Sequence, residues 1–342
     1  MYEQYYDITN KPFQLTPDPK FFFASDKHRQ ALSYLQYGLE QGEGFIVITG
    51  PVGTGKTTLA QSLLQQIKHS NIEAIQIVTS RLSPEDLLAV IVQEFGLTPS
   101  SNNKSGLLKS IQQHLNYLSE QGKRALLLVD EAQNLPTDSI EELRMLSNFQ
   151  NNNKPLLQSF LLGQEELKTI IQSPEMEQFR QRIIASCHLK PLSTDEVVQY
   201  INHRLSRVEM KNPDILSLEC FTIIQQKTLG VPRKINLLMD RILLYGFLNE
   251  IKFFEVNDVL TVIDEMADEL SASLNAIPST EPSIVTKMPI NAQDNQQDEN
   301  YYNESIMPLL KKMDDFLQEH IDKKIKMNRY LDKLIKQKNK GA

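Results

Sequence analysis

The eight residues GPVGTGKT, at positions 50–57, constrain the fold of this chain more than any other feature. They follow the β-branched run FIVITG and precede TTLAQSLLQQIKH, in which apolar residues recur at helical spacing. Glycines in such a turn let backbone N–H groups face inward without obstruction by Cβ atoms, and the next helix adds the positive end of its dipole. This strand, turn and helix therefore predict a cradle for a polyphosphate.

The pattern also predicts how the cradle binds its ligand. Lys56 is expected to reach the β- and γ-phosphates and Thr57 to place its hydroxyl on the metal, so the predicted cofactors are ATP and Mg²⁺. A chance match in an ordinary turn is the alternative, which the agreement of motif and context disfavours. The predicted nucleotide-binding residues of the loop are Gly50, Pro51, Val52, Gly53, Thr54, Gly55, Lys56, Thr57 and Thr58.

The apolar run ALLLV is followed directly by two acidic residues, Asp130 and Glu131. Adjacent carboxylates at the end of a buried strand point in different directions, so one can serve a metal while the other orients a water molecule. Asp130 is therefore a predicted Mg²⁺ ligand beside Thr57, and Glu131 is the candidate catalytic base. The alternative interpretation is a pair of solvated acids at a strand end.

Strand and helix patterns alternate along residues 44–192. AIQIVT, ALLLVD and LLQSFLLG are typical of strands, and helices are predicted over 106–120 and 139–149. A further helix, SPEDLLAVIVQEFG, has Ser83 as its N-cap and Pro84 in its first turn. This βα alternation predicts an α/β core with a parallel sheet that helices cover on both faces.

The remaining segments differ in composition. Residues 1–43 are rich in aromatics and proline and then become helix-like, which predicts a lead-in packed on the core. Residues 193–270 open with a capping-box pattern and have helical spacing throughout, which predicts a small all-α lid. Residues 271–303 are poor in aromatics and read as a disordered linker, and 304–340 predict an amphipathic tail helix.

The tail carries seven lysines and Arg329 against two aspartates between Asp322 and Lys340. Such a charge balance suits the C-terminus of a helix, and it would also suit an acidic partner or peripheral contact with an anionic membrane. Docking of the helix on its own domain, or pairing with a copy of itself, is the alternative.

Composition limits the other classes of function. A net charge of −7 disfavours a generally nucleic-acid-binding surface, although a local basic patch is not excluded. The apolar runs fall far short of a membrane span, and the N-terminus lacks a secretory signal pattern, so the expected location is cytoplasmic, with peripheral attachment to the inner membrane as an option. Cys187 and Cys220 have neither CxxC spacing nor ligand neighbours, which argues against a zinc site.

Several passages together carry a resemblance to a known family: KPFQLTPDPKFFF, QGEGFIVITGPVGTGKTT, DEAQNL, LRMLSNF and LLGQEEL. Over about residues 1–270 the chain closely resembles the ExeA-like (general secretion pathway protein A) group of AAA+ ATPases. Within that group it is most similar to ATPases associated with exosortase (PEP-CTERM) and exopolysaccharide systems. The resemblance implies a P-loop NTPase fold of the AAA+ type.

The resemblance also implies roles that spacing alone does not give. Gln164 matches the sensor-1 position, which contacts the γ-phosphate or the attacking water. Arg180 and Arg182 lie where such ATPases place the arginine finger that enters a neighbouring subunit's site, which implies a ring or filament of identical subunits. Arg233 matches sensor 2, which ties the lid to the nucleotide. A surface or ion-pair role is the alternative for each arginine.

Three functions remain open on the sequence. The resemblance implies hydrolysis of Mg-ATP by an oligomeric motor or switch that remodels a partner protein of a bacterial cell-envelope system, either exosortase and exopolysaccharide or type II secretion-like. The core around DEAQ is also similar to transposition regulators, which act on DNA. A scaffold that binds nucleotide without hydrolysing it is the third possibility, and the presence of Glu131 argues against it.

Overall fold

The computed structural model describes residues 2–68 and 70–275, and within them the chain folds around a parallel sheet. The strands are β1 (Phe45–Thr49), β2 (Ile72–Val78), β3 (Arg124–Asp130), β4 (Gln150–Asn151), β5 (Lys154–Pro155), β6 (Leu157–Gly163) and β7 (Ile183–His188). Five of them form the sheet in the spatial order β2-β3-β6-β1-β7, and β4 pairs with β5 as a separate antiparallel hairpin. The predicted α/β class with a parallel sheet is confirmed.

Strand β1 shows why the sheet is covered on both faces. Successive side chains of a strand point to opposite faces, so Phe45 and Val47 join one apolar cluster and Ile46 and Ile48 join another. All four side chains are buried. The continuous apolar runs in the sequence therefore reflect burial on both faces, which is usual in parallel sheets.

Local sequence signals set several helix starts. The Ser83 side chain accepts a hydrogen bond from the backbone N–H of Asp86, and Ser193 and Glu196 form a reciprocal capping box. The helices are α1 (Tyr2–Tyr5), α2 (Asp26–Gln41), α3 (Lys56–Ile67), α4 (Pro84–Glu94), α5 (Lys104–Glu120), α6 (Thr137–Leu146), α7 (Glu165–Gln172), α8 (Glu177–Arg180), α9 (Thr194–Ser206), α10 (Leu218–Thr228), α11 (Pro232–Leu248) and α12 (Val256–Asn275).

Residues 1–43 divide between two parts of the structure, whereas the sequence predicts that they pack on the core together. Helix α2 lies against the sheet. Except for Phe22, which packs against the cluster of the sheet, the aromatic residues before it instead pack in one apolar cluster with helices α9 to α12. Phe13 and Phe21 are buried in that cluster. Their large rings remove much apolar area from water by packing against the helices, which stabilises this arrangement.

Three further differences from the sequence analysis concern boundaries. Strand β7 is not predicted, because its residues IIASCH form a half-exposed edge strand without a continuous apolar run. Helix α12 continues to Asn275, so the first residues of the predicted 271–303 linker are helical. The rest of that linker and the predicted tail helix over 304–340 lie outside the described residues. None of the described helices combines the length and apolar character needed to cross a bilayer.

Candidate nucleotide-binding site

The loop between β1 and α3 has two residues with left-handed backbone geometry, Gly53 with φ of 81° and Gly55 with φ of 95°. Glycine adopts this geometry without the steric cost that a Cβ atom imposes. Gly55 is the N-cap of α3 and gives it no side-chain cap. The first N–H groups of the helix are therefore free of intrahelical partners, which leaves them available to an anion.

Lys56 is 5% exposed and turns back over the loop. Its Nζ atom donates to the carbonyl oxygens of Gly50, at 2.7 Å, and Pro51, at 3.1 Å. Burial lowers the pKa of Lys56, and the negative charges of Glu131, Asp130 and Glu166 partly offset this effect. The cationic head is thus held inside the loop by neutral carbonyls, which are weaker partners than phosphate oxygens.

Thr57 and Asp130 bring two oxygen ligands together at the start of α3. The Thr57 hydroxyl donates to Asp130 Oδ2 at 2.7 Å, and the other carboxylate oxygen accepts from the Glu131 N–H at 2.9 Å. Hydroxyl and carboxylate oxygens are ligands that Mg²⁺ prefers, and this ion usually keeps several waters. The pair therefore fits a Mg²⁺ ion that also binds phosphates. No group of three or more His, Cys, Asp or Glu side chains within the described residues could hold a metal by itself.

Glu131 is held by two side-chain amides. Its Oε2 atom accepts from Gln133 Nε2 at 2.6 Å and from Gln164 Nε2 at 3.0 Å, and the Gln164 N–H donates to Gln133 Oε1 at 2.9 Å. Burial alone would raise the pKa of Glu131, but the bonds from Gln164 and Gln133 and the charge of Lys56 outweigh it and lower the pKa. The backbone of Glu131 also has the left-handed conformation, with φ of 54°. Gln133 is absent from the sequence prediction, although it follows Glu131 by two residues.

An open cleft lies beside the loop, and its empty space of about 930 Å³ includes its open mouth. Loop residues 52–58, Glu131 and Arg233 contribute to its lining. The opposite walls come from residues 14–17 and 21–23 and from the lid helices. The sequence analysis does not predict these walls, because residues far apart in the chain, 14–23 and 192–236, meet there.

The three predicted arginines occupy different places. Arg233 lines the cleft, and its backbone N–H donates to the Gly53 carbonyl at 3.2 Å. Arg180 donates to the carbonyl oxygen of Ile171 at 2.8 Å, and Arg182 donates to the Ser147 hydroxyl at 3.1 Å. The residues that line the cleft do not include Arg180 or Arg182. Of the three, Arg233 alone thus lines the cleft of its own chain.

Comparison with known proteins agrees with this geometry. Residues 39–171 match the family model described as the AAA domain. The fold is that of an AAA P-loop NTPase. A match to this family implies nucleotide binding.

Among individual proteins, the chain is 40% identical over 248 residues to general secretion pathway protein A of Aeromonas hydrophila, which covers 72% of this chain and 45% of that protein. It is 28% identical over 125 residues to the Mu-like prophage FluMu DNA transposition protein B of Haemophilus influenzae, which covers 36% of this chain and 41% of that protein. The chain thus spans less than half the length of these curated relatives.

A solved structure of Cdc6p from Pyrobaculum aerophilum has the same AAA P-loop NTPase fold, with a TM-score of 0.58 at 15% identity, over 75% of this chain and 71% of that one. At this level of identity the likeness concerns the fold alone.

Proposed function

We propose that the chain binds Mg-ATP and hydrolyses it. The main support is that three features lie around one loop: Lys56, the Thr57–Asp130 pair and Glu131 with its amide partners. The AAA domain match over residues 39–171 supports it. Thr57 and Asp130 would hold Mg²⁺, whose positive charge would offset the negative charge that develops during phosphoryl transfer.

The residues of the loop would bind and orient the triphosphate. Lys56 would exchange its two carbonyl partners for β- and γ-phosphate oxygens, which gives a buried ammonium group a charged partner. Thr57 and Asp130 would hold Mg²⁺ at the loop. The Arg233 side chain would contact the phosphates from the lid, because its backbone already contacts Gly53.

Glu131 would orient the attacking water and accept its proton, and Gln164 would hold the Glu131 carboxylate in place. The lowered pKa of Glu131 keeps the carboxylate ionised at neutral pH, which water orientation requires. Gln133 would share this positioning through its bond to the same carboxylate oxygen.

The test of hydrolysis is the Glu131→Gln variant, which keeps the size of the side chain and removes its charge. We expect Mg-ATP affinity within about threefold of wild type and turnover reduced by about 10²- to 10⁴-fold, the usual contribution of a general base. Calorimetry with Mg-ATP and a phosphate-release assay would measure the two quantities. Normal turnover by Glu131→Gln would contradict the assignment, and tight binding without turnover by the wild type would favour a scaffold.

We further propose that the active form is a homo-oligomer, a ring or a filament, in which Arg180 or Arg182 completes the site of a neighbouring subunit. Both lie outside the lining of their own cleft, which supports action on a second chain. Arg182 has one neutral hydroxyl partner, whereas Arg180 bonds two backbone carbonyls, so Arg182 needs less rearrangement. Arg182→Ala should assemble in light scattering as wild type does and turn over at least about tenfold more slowly.

The cellular role that we propose is an assembly motor or switch for a partner protein of the cell envelope, at the cytoplasmic side of the inner membrane. The similarity to general secretion pathway protein A supports this role. Deletion of the gene would separate the pathways, because loss of exopolysaccharide indicates an exosortase or polysaccharide system and loss of exported proteins indicates a type II secretion-like system. Binding to anionic liposomes that is lost on truncation after residue 275 would support membrane contact through residues 304–340.

A DNA-associated transposition function is the second candidate, since the chain is also similar to the FluMu transposition protein B. That function requires salt-dependent binding to duplex DNA and stimulation of the ATPase by DNA. The net charge of −7 disfavours it. Absence of both properties in a filter-binding and ATPase titration would remove this candidate.

A further inference from the structure

His28 lies in the first turn of α2, outside the phosphate-binding motif, and is 3% exposed. Both ring nitrogens have partners: Nδ1 lies 2.8 Å from the Ser25 hydroxyl, and Nε2 lies 2.9 Å from the carbonyl oxygen of Thr54. Thr54 belongs to the phosphate-binding loop. The imidazole ring therefore connects the start of a core helix to the backbone of the loop.

The partners determine which nitrogen carries the proton. A carbonyl oxygen can accept a hydrogen bond but cannot donate one, so Nε2 must carry the hydrogen that faces Thr54. In the neutral ring Nδ1 then accepts from the Ser25 hydroxyl. Burial lowers the pKa of His28, although the bond to Thr54 and the charge of Glu196 oppose this, so the neutral ring is favoured at physiological pH.

The bond to the Thr54 carbonyl fixes a peptide plane. The Thr54 C=O and the Gly55 N–H belong to the same trans peptide unit, in which they point in opposite directions. A donor that holds the carbonyl toward α2 therefore directs the Gly55 N–H to the other side of the plane. Gly55 has φ of 95° and no Cβ atom, so its own side chain cannot fix this orientation.

The other bonds to the loop make the role of His28 specific. Lys56 Nζ donates to the carbonyls of Gly50 and Pro51, and the Arg233 N–H of the lid donates to that of Gly53. Lys56 would leave its carbonyls on binding phosphate, and the Arg233 bond depends on the position of the lid. The His28 bond comes from the core, so it can stay in place when a nucleotide enters, whatever Lys56 and the lid do.

We propose that His28 is a positioning residue, which holds the Thr54–Gly55 peptide so that the Gly55 N–H is oriented for a phosphate oxygen before the nucleotide arrives. The role rests on the proposed nucleotide binding at this loop. A merely structural histidine would support α2 without affecting the loop. The two roles therefore predict different results for a substitution that keeps the bond to Thr54 and for one that removes it.

Two variants of His28 separate these roles. The amide nitrogen of glutamine can occupy the place of Nε2, so His28→Gln keeps a donor to Thr54. Asparagine is one methylene shorter and reaches the place of Nδ1, so His28→Asn keeps a polar partner for Ser25 and loses the bond to the loop. His114→Gln is the matched control, because His114 contacts Glu73 and Phe95.

The first measurement is hydrogen exchange by mass spectrometry on nucleotide-free protein. We expect at least about threefold faster exchange in the peptide that spans residues 50–57 for His28→Asn, and wild-type exchange for His28→Gln and His114→Gln. Equal exchange of this peptide in all four proteins would overturn the proposal. So would faster exchange confined to α2.

The second measurement is Mg-ATP affinity by calorimetry, beside a melting temperature for each protein. His28→Asn should bind about tenfold more weakly than wild type and His28→Gln within about threefold. Equal affinities of the two variants would overturn the proposal. A wild type that binds no Mg-ATP while the exchange pattern holds would instead refute the proposed function and leave the peptide-holding role of His28 supported.

Discussion

The two sides of the cleft are built in different ways. On the core side, Lys56 and Thr57 are consecutive residues of one motif, Asp130 ends β3 and Glu131 follows it directly. On the lid side, side chains join residues far apart in the chain. Arg204 donates to the Pro12 carbonyl at 3.0 Å, Asn236 donates to that of Gln14 at 3.0 Å, and Tyr6 donates to that of Ile251 at 3.1 Å.

The N-terminal segment is thus joined to the lid by hydrogen bonds and by a shared apolar cluster. Phe21 belongs to the apolar cluster of the lid, and the next residue, Phe22, packs against the cluster of the core. Phe23 packs against the cluster of the lid again, so the two clusters meet within residues 21–23. Any lid movement during a nucleotide cycle would carry the wall formed by residues 14–17 with it and leave the phosphate-binding loop in place.

The largest expected effect comes from removing a ring of the lid cluster. Phe13→Ala should lower the free energy of unfolding by about 3–5 kcal/mol, the usual cost of truncating a buried phenylalanine, because Phe13 is 2% exposed. Hydrogen exchange should rise in α9 to α11 and stay low in β1 and β3. Phe160→Ala, within the sheet, should lower the free energy of unfolding by a similar amount. In that variant hydrogen exchange should rise in β1 and β3 and stay low in α9 to α11. Equal exchange across both regions in Phe13→Ala would break the comparison.

The next effect concerns the core side alone. Lys56→Ala should reduce Mg-ATP affinity by at least about a hundredfold, since it removes the charged donor to the phosphates. Calorimetry would measure the affinity, and the melting temperature would show that the protein is folded. Lys104→Ala, which removes the partner of Glu142, is the control for loss of a lysine. Retention of affinity in Lys56→Ala would mean that nucleotide binds elsewhere.

A smaller effect tests the contact between the two sides. A Cβ atom at Gly53 would come within 2.7 Å of Arg233 Cβ, whereas one at Gly96 would meet nothing within 4 Å. Both glycines have positive φ, 81° and 65°, so both alanine variants have a backbone cost of about 1–2 kcal/mol. Gly53→Ala should also displace the lid and weaken Mg-ATP binding by about tenfold. Unchanged affinity in Gly53→Ala would show that lid contact contributes little.

The smallest effect is a dependence of stability on pH. Burial lowers the pKa of His28 and of His203 below their ordinary value of 6.5, so the unfolded chain binds more protons than the folded one just below that pH. The free energy of unfolding should therefore fall as pH decreases from 7.5 to 5.5. In His28→Gln the fall should be smaller, as urea titrations at both pH values would show. An identical fall in that variant would assign the dependence to other groups.

Local patterns predicted the core side well. The loop, the strand that ends in Asp130 and the cap at Ser83 each depend on a few consecutive residues, and the structure has a strand, a turn and a helix where these patterns lie. Strand β7 was missed because an edge strand buries one face incompletely and lacks the apolar run that identifies β1.

The lid side could not be predicted for a different reason. Nothing in the sequence near Phe13 or Arg204 indicates that the two segments meet, because their contact depends on how the whole chain folds. His28 was missed for the same reason. Its partner in the loop is 26 residues away in sequence, and no local pattern identifies a histidine that bonds to a distant backbone carbonyl.

Glu131 combines a charged side chain with a backbone angle that suits glycine. A residue with a Cβ atom costs about 1–2 kcal/mol in this conformation. Selection for folding alone would favour glycine at position 131, so a search for more stable variants would tend to remove the proposed catalytic base. Thermal stability is therefore a poor guide to function in libraries made from this chain, and screens for activity should precede screens for melting temperature.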